Sequence, residues 1–253
     1  MNLKDKVVIV TGASAGIGAA IAIKFAEQGS KVALAARNEK KLKEVAAKCE
    51  KHGAKVVTIV ADVTDDCDIE KILFTTISKF KRLDILVNNA GIAETAEIWD
   101  AKALEVYDRV MATNLRSVIY LTNLAARELI ETKGNIINIS SVAAMTATAP
   151  GYFAYCTSKA GLDHFTRAIA TDLAPKGVRV NTVNPGPVRT DILRSITDTK
   201  DEDWKKAEAM TALGRVSDPN EVADLVLFLA SDKAVAITGS SFVTDNGLLL
   251  HRG

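Results

Sequence analysis

Apolar residues fall into two alternating patterns along this chain: short continuous runs, and longer stretches with an apolar residue every third or fourth position. Residues 6–11 are apolar throughout their centre, the mark of a parallel strand covered on both faces. After a glycine-rich turn, Ile17, Ile21 and Phe25 recur every four residues up to Gly29, which predicts a helix and its stop. Residues 32–36 read as a second strand. Leu42, Val45 and Cys49 then make an apolar stripe among lysines and glutamates, a helix closing near Gly53. A third strand over 56–60 runs into Ala61, Asp62 and Val63. The helix after it shows Ile69, Ile72, Leu73, Thr76, Ile77 and Phe80 on one face, and 84–87 is a fourth strand. Such a βαβαβ series with short connections implies a parallel sheet with right-handed crossovers.

The alternation continues. A long helical region covers 101–131, and 135–139 is a fifth strand. The next helix carries Tyr155 and ends near residue 174, where Pro175 and Gly177 stop it. A sixth strand over 178–183 closes on Asn184-Pro185-Gly186-Pro187. Residues 190–217 are the least regular part; 220–230 read as helix and 241–244 as a last strand. No linker, repeat or low-complexity tract interrupts the pattern, which predicts one doubly wound α/β domain over residues 1–253.

Composition narrows the function classes. Lysine and arginine (32) nearly balance aspartate and glutamate (31), so no broad basic surface for nucleic acid is expected. The apolar runs are strand-sized, too short to cross a bilayer, and no membrane partner is expected. The chain enters its first strand within a few residues of Met1, leaving no room for a signal peptide. Three cysteines, Cys49, Cys67 and Cys156, and three histidines, His52, His164 and His251, lack metal-ligand spacing, so no metal is expected. A reducing, cytoplasmic setting fits these features.

Candidate chemistry lies in three places. Tyr155 and Lys159, four apart on a helix, share a face. An ammonium beside a phenol favours the phenolate, which suits Tyr155 to proton transfer in an alcohol–ketone interconversion. Gly12, Gly16 and Gly18 lie between a strand and a helix, where backbone can approach a diphosphate at the helix N-terminus. The second strand ends Ala35-Ala36-Arg37-Asn38, with alanine where an NAD-preferring site places a carboxylate. Arg37 can fork onto a 2′-phosphate, Ser14 can add a hydroxyl, and NADP(H) is expected over NAD. A hydroxyl to hold the substrate oxygen is offered by either Ser140 or Ser141.

Taken together, Thr11-Gly12-Ala13-Ser14-Ala15-Gly16-Ile17-Gly18, Asp62, Asn88-Asn89-Ala90-Gly91, Asn114, Ile139-Ser140-Ser141, Tyr155 to Lys159 and Pro185 to Thr190 resemble the short-chain dehydrogenase/reductase family of the roughly 250-residue type. The stretches stand in the family's order and span the chain nearly end to end. The resemblance implies a Rossmann-type parallel sheet of about seven strands. It implies that Tyr155 exchanges the proton with the substrate oxygen, that Ser141 binds that oxygen, and that Lys159 lowers the Tyr155 pKa and holds the nicotinamide ribose. Asn114, a poor helix former in mid-helix, would sit in a local distortion and position a proton-relaying water. Gly12, Ser14, Gly16, Ile17, Gly18 and Arg37 would hold the diphosphate and adenosine end, and Asp62 and Val63 the adenine. Asn89, Ala90 and Gly91 would contact the adenosine-side ribose and backbone, and Pro185, Gly186, Val188 and Thr190 the carboxamide. A homotetramer or homodimer is implied, joined through the helices of Asn114 and Tyr155 and the C-terminal strand region.

Two departures mark the substrate side. Fourteen positions separate Ser141 from Tyr155, one more than in many relatives, and Ala144 stands where glycine is common. Residues 145–153 should therefore form a longer loop over the substrate, and 190–217 a lid. Met145, Tyr152, Phe153, Ile192, Leu193 and Met210 are the lining candidates, and their apolar character points to an apolar ketone or secondary alcohol: a steroid, isoprenoid, retinoid or 3-oxoacyl compound. An NAD-dependent alcohol dehydrogenase and a catalytically inactive dinucleotide-binding regulator are the alternatives. Cys156 reads as a packed small hydrophobe or a reactive thiol, and Trp204 as lid lining or segment anchor.

Overall fold

The computed structural model describes residues 2–147, 149–190 and 201–250. Seven strands form one parallel sheet in the order β3-β2-β1-β4-β5-β6-β7: β1 (Val7–Thr11), β2 (Lys31–Ala36), β3 (Val56–Val60), β4 (Ile85–Asn88), β5 (Asn135–Ile139), β6 (Arg179–Pro185) and β7 (Ser241–Thr244). Every neighbouring pair is parallel, so each connection must carry the chain back across a face of the sheet. Helices α1 (Gly16–Glu27), α2 (Glu39–Lys51), α3 (Asp66–Phe80), α4 (Ala103–Met111), α5 (Ser117–Thr132), α6 (Phe153–Leu173), α7 (Asp201–Ala209) and α8 (Pro219–Ala230) do so.

The pleat divides each strand between two cores. Val8 and Val10 of β1 face a cluster with Ile21 and Phe25 of α1, Leu42 of α2 and Val226 of α8. Val7 and Ile9 face the opposite cluster, with Ile72 of α3, Leu121 of α5 and Leu173 of α6. This explains the unbroken apolar run of β1: with helices on both sides, neither parity of a central strand meets water. Side-chain caps start three of the helices. Asn38 accepts from the Lys41 N–H and Asp65 from the Asp68 N–H, and Asp218 with Glu221 forms a reciprocal capping box on α8.

Three elements differ from the pattern reading. The helix over 101–131 is interrupted by a π-helical turn, Ala112–Arg116. Strand β6 extends to Pro185, because Asn184 and Pro185 pair with Val243 and Thr244 of β7. Within the stretch expected to be irregular, Asp201–Ala209 is helical. Its low apolar content hides it from a periodicity reading, since little of it packs on a core.

At the sheet edge where the strands begin, Asp84 is nearly fully buried. Its carboxylate accepts from the Val7 N–H (3.0 Å), from Lys6 Nζ (3.0 Å) and from two Arg82 nitrogens (2.8 and 2.6 Å). Its backbone joins Val7 and Asn135, so one residue knits β1, β4 and β5 at that edge. Burial alone would raise the Asp84 carboxyl, but the bonds from Arg82, the Val7 N–H and Lys6 outweigh it and hold it below the usual carboxylate range. A depressed folded-state pKa stabilises above the unfolded value and loses that contribution as pH falls through the folded one. Asp84→Asn should cost about 2 kcal/mol at pH 7, discounted because Lys6 and Arg82 stay half-exposed. The cost should shrink in urea denaturation at pH 3; an equal cost at both pH values would exclude the charge as the cause.

Candidate active site

The site grows from the edge where the strands end. β1 and β4 are neighbours there although two strands and three helices separate them in sequence, so their following turns meet. Thr11 Oγ1 accepts from the N–H groups of Asn89 (3.0 Å) and Ala90 (3.1 Å), and Asn89 Nδ2 donates to the carbonyls of Thr11 (2.9 Å) and Gly12 (3.3 Å). The Asn89 amide, expected to serve a ligand, is thus committed to the glycine turn, because the buried carbonyls of that turn need a donor. Gly12 lies at φ 65°, and a Cβ there would stand 2.9 Å from Ala90 Cα; one on Gly18 would collide with the Gly12 carbonyl and Asn89 Nδ2. Side chains at both positions are excluded by this close approach.

Helix α1 begins without a side-chain cap, since its N-cap is Ala15. The first-turn N–H groups of Gly16, Ile17 and Gly18 therefore face outward from a dipole end suited to an anion. Thr190 closes the other side: a Cβ on Gly16 would stand 3.0 Å from its Cγ2. Val188 is buried and bridges Ser217, and the Gly186 N–H bonds the Thr244 carbonyl (3.0 Å), so the segment after β6 is pinned beside the turn. Ser14 is half-buried in the turn itself. At the end of β2, Arg37 is exposed, with its guanidinium 3.6 Å from Asp62. Burial of Asp62 pushes its carboxyl up, but the Thr64 N–H and hydroxyl (2.9 and 2.8 Å) and Arg37 hold it below the usual range. Val63 packs on the core under α3.

Asn114 lies in the π turn, nearly fully buried. Its Oδ1 accepts from the Ile92 N–H (2.8 Å), and its Nδ2 donates to the Ile92 carbonyl (2.9 Å) and to Ser158 Oγ (3.1 Å). The wider turn lets the amide complete these bonds instead of competing with its own helix, which accounts for an asparagine in mid-helix. A Cβ on Gly91 would stand 3.2 Å from Asn114 Oδ1 and 3.6 Å from Lys159 Nζ, so all three converge.

Tyr155 and Lys159 sit one turn apart on α6, with Lys159 Nζ 5.7 Å from the Tyr155 ring centroid. Of the two serines, Ser140 turns inward to the Lys159 carbonyl (3.3 Å), whereas the Ser141 hydroxyl meets the Tyr155 phenol. The Ser141 Oγ also accepts from the Ala143 N–H (3.1 Å), which fixes its rotamer. The ammonium of Lys159 donates to the Ile139 carbonyl (2.9 Å) and is buried; burial pulls it down from 10.5 to about 8, opposed by the charge of Asp163. The expected acidification of Tyr155 does not occur. Burial drives the phenol above its ordinary value, the Ser141 hydroxyl offsets part of the rise, and Cys156 and Tyr152 add to it. Desolvation of the phenolate outweighs the hydrogen bond from Ser141.

Around this centre, Tyr152 meets Tyr155 edge-on at 6.5 Å between ring centroids, and Met145 and Met210 are about half exposed. Phe153 packs with Ala96, Val106 and Val110, because the first turn of α6 needs an apolar partner against α4, and it also reaches the groove beside Tyr152. Ile192 and Leu193 lie outside the described residues. Arg189 stacks on Trp204 (5.4 Å) and pairs with Glu208 (2.7 Å), so Trp204 anchors α7 to the chain leaving β6. Beside Tyr152 an open groove of about 260 Å³ is walled by Ile98, Pro150, Tyr152 and Cys156. Periodicity missed this wall because Ile98 and its exposed neighbour Trp99 lie outside any regular element. No cluster of potential metal ligands occurs among the described residues.

The arrangement can bind an anion at α1 and transfer a proton at a polarised oxygen between Ser141 and Tyr155. A family model described as enoyl-(acyl carrier protein) reductase matches residues 12–249. The chain is 35% identical over 251 residues to the 3-oxoacyl-(acyl-carrier-protein) reductase FabG of Thermotoga maritima, covering 99% of this chain and 100% of that one. It is 38% identical over 254 residues to the cyclopentanol dehydrogenase of a Comamonas species, covering 97% and 98%. A short-chain dehydrogenase/reductase of unknown function from Caenorhabditis elegans, solved with cofactor, superposes with a TM-score of 0.93 at 33% identity, covering 100% of this chain and 98% of that one. One from Serratia marcescens gives 0.91 at 36%, covering 98% and 99%.

Proposed function

The chain belongs to the short-chain dehydrogenase/reductase family of oxidoreductases, and from that premise we propose that it is an NADP(H)-dependent reductase of an apolar ketone or 3-oxoacyl compound, or the dehydrogenase of the corresponding secondary alcohol. The observation that carries this reading is the convergence of Ser141, Tyr155, Lys159 and Asn114 at the edge of the sheet that also bears the uncapped start of α1.

A dinucleotide fits this chain's residues. Its diphosphate would lie on the first turn of α1, where Ala15 leaves the N–H groups uncapped and Gly12 and Gly18 keep the backbone bare. Bound there, a reduced nicotinamide supplies the hydride. The protein's own part is to hold the carbonyl and deliver a proton. The Ser141 hydroxyl donates to the carbonyl oxygen and keeps it within reach of Tyr155. The Tyr155 hydroxyl then gives up its proton as negative charge develops on that oxygen. A phenol held above its ordinary value by burial stays protonated at neutral pH, which suits donation, and thus the reductive direction. The Lys159 ammonium stabilises the phenolate left behind, and Asn114 holds Ile92 and Ser158 around it. Met145, Tyr152 and Met210 supply apolar contact for the substrate, and the names of the relatives, a 3-oxoacyl reductase and a cyclopentanol dehydrogenase, support a carbonyl or alcohol on an aliphatic frame.

We also infer a cytoplasmic homodimer or homotetramer. Leu104 of α4 and Ile119 of α5 expose apolar side chains on one stretch, and Val243 of β7 and Leu250 do so near the chain end. All three cysteines are free, and among the described residues no helix is long and apolar enough to cross a membrane.

Three outcomes follow from this reading. Tyr155→Phe should abolish NADPH oxidation with a panel of ketones and leave NADPH affinity nearly unchanged; near-normal turnover would overturn the assignment of the acid. Arg37 should prefer the 2′-phosphate. A charge-assisted pair of that kind contributes on the order of 1.5–3 kcal/mol, roughly ten- to a hundredfold in affinity. Arg37→Ala should weaken NADPH binding by that factor and leave NADH nearly untouched, and Ala36→Asp should invert the preference, both read by fluorescence titration. Equal use of both cofactors by the wild type would refute the NADP reading. Light scattering at micromolar concentration should give a dimer or tetramer, and a monomer would refute the assembly.

A further inference from the structure

We propose that Asp163 is a positioning residue of this site: its buried carboxylate is the counter-charge of Lys159 and, through Asn184, the tether of Ser141. The proposal rests on the roles given above to Lys159 and Ser141. Tyr155, Lys159 and Asp163 follow each other at intervals of four on α6, so one helix face carries all three. Asp163 is only 4% exposed. Its Oδ2 accepts from Asn184 Nδ2 (2.8 Å), and its Oδ1 has no hydrogen-bond partner among the described residues. A buried carboxylate with a single neutral donor is costly, and packing alone would be served by asparagine or leucine. The cost points to a use for the charge.

Two links define that use. The first is geometric. Asn184, fully buried at the end of β6, donates to Asp163 and to the Ser141 carbonyl (3.0 Å), while its Oδ1 accepts from the Thr182 hydroxyl (3.1 Å). The backbone of Ser141 is thereby held from below, while the Ala143 N–H fixes its hydroxyl from the side. The second link is electrostatic. Lys159 shares the burial of Asp163, and no ion pair joins them, because the ammonium is drawn to the Ile139 carbonyl. The two charges interact across a dry, weakly screening interior. The other elements on this face present neutral groups: the Ile139 carbonyl of β5, Gly91, Asn114 of the π turn, and Thr182 and Asn184 of β6. Of the titratable groups on or beside α6, burial holds Tyr152 and Tyr155 above the usual phenol value, Cys156 adjoins Tyr155, and His164 and Arg167 lie on the exposed side of the helix in contact with each other. Asp163 is therefore the charge that opposes the loss of the Lys159 proton.

The test follows the proton on Lys159 directly. In ¹⁵N NMR of lysine-labelled protein, with the signal assigned by Lys159→Arg, the wild type should titrate near 8. Asp163→Asn keeps an acceptor for Asn184 and removes the charge. It should move that titration, and the alkaline limb of kcat/KM for ketone reduction, to lower pH by on the order of one unit. Asp163→Ser, which also keeps an oxygen, should shift both in the same direction. A merely structural role would lower the melting temperature and leave both midpoints in place, and that result would overturn the proposal. Should neither variant fold, a wild-type Lys159 that is already neutral below pH 7 would overturn it as well. A wild type that oxidises NADPH with no ketone would sink the functional reading alone, since the NMR titration still decides on Asp163.

Discussion

Parallel strands cannot be joined by a tight turn; each connection must return along a face of the sheet before the next strand can begin. Most of this protein's organisation depends on that constraint. It brings every strand's C-terminal end, and the turn that follows, to a single edge. It also buries both faces of the central strands, so β1 becomes almost wholly apolar and the polar residues of β5 and β6 must find partners inside the fold. Because the strand order places β1 beside β4, the chain departs in opposite directions from their ends and leaves a crevice. Into it project the glycine turn after β1, Asn89 to Gly91 after β4, Ser141 after β5 and the segment after β6.

The crevice is built largely from polar groups that have lost water, and most are answered by a specific partner. Carbonyls of the glycine turn are met by the Asn89 amide, the Ile92 peptide by Asn114, and the Lys159 ammonium by the Ile139 carbonyl. These bonds link successive turns to one another more than they face outward, which makes the edge rigid before any substrate arrives. Two deviations from regular structure belong to the same economy of donors. The π turn gives Asn114 room to bond outside its helix, and the missing cap at Ala15 leaves N–H groups for an anion.

The electrostatics of the centre set two tendencies against each other. Burial raises the phenol and lowers the ammonium, so both lean toward their neutral forms, and a partner is needed if either is to carry charge. Ser141 acts on the first and Asp163 on the second. A helix face with Tyr155, Lys159 and Asp163 at intervals of four is thus a row of three coupled groups. This coupling gives the reaction its expected dependence on pH.

The sequence by itself determined the architecture. The alternation of apolar runs with helical stripes is a local property, and the rules of connection convert it into a parallel sheet with little freedom. It also singled out the glycine turn and the Tyr155–Lys159 pair, since their spacing along one helix or one turn survives any folding. Tertiary structure decided what depends on neighbours far away in the chain. Which of Ser140 and Ser141 meets the phenol depends on where β5 ends beneath α6. Whether Tyr155 is acidified or not depends on how much water the fold removes. That Asn89 braces the turn, and that Phe153 packs against α4, depends on which groups lacked a partner once the elements met. Asp163 reads in sequence as one more polar residue of an amphipathic helix. Only the packing of β6 against α6 buries it, and burial is what gives a carboxylate there an electrostatic reach.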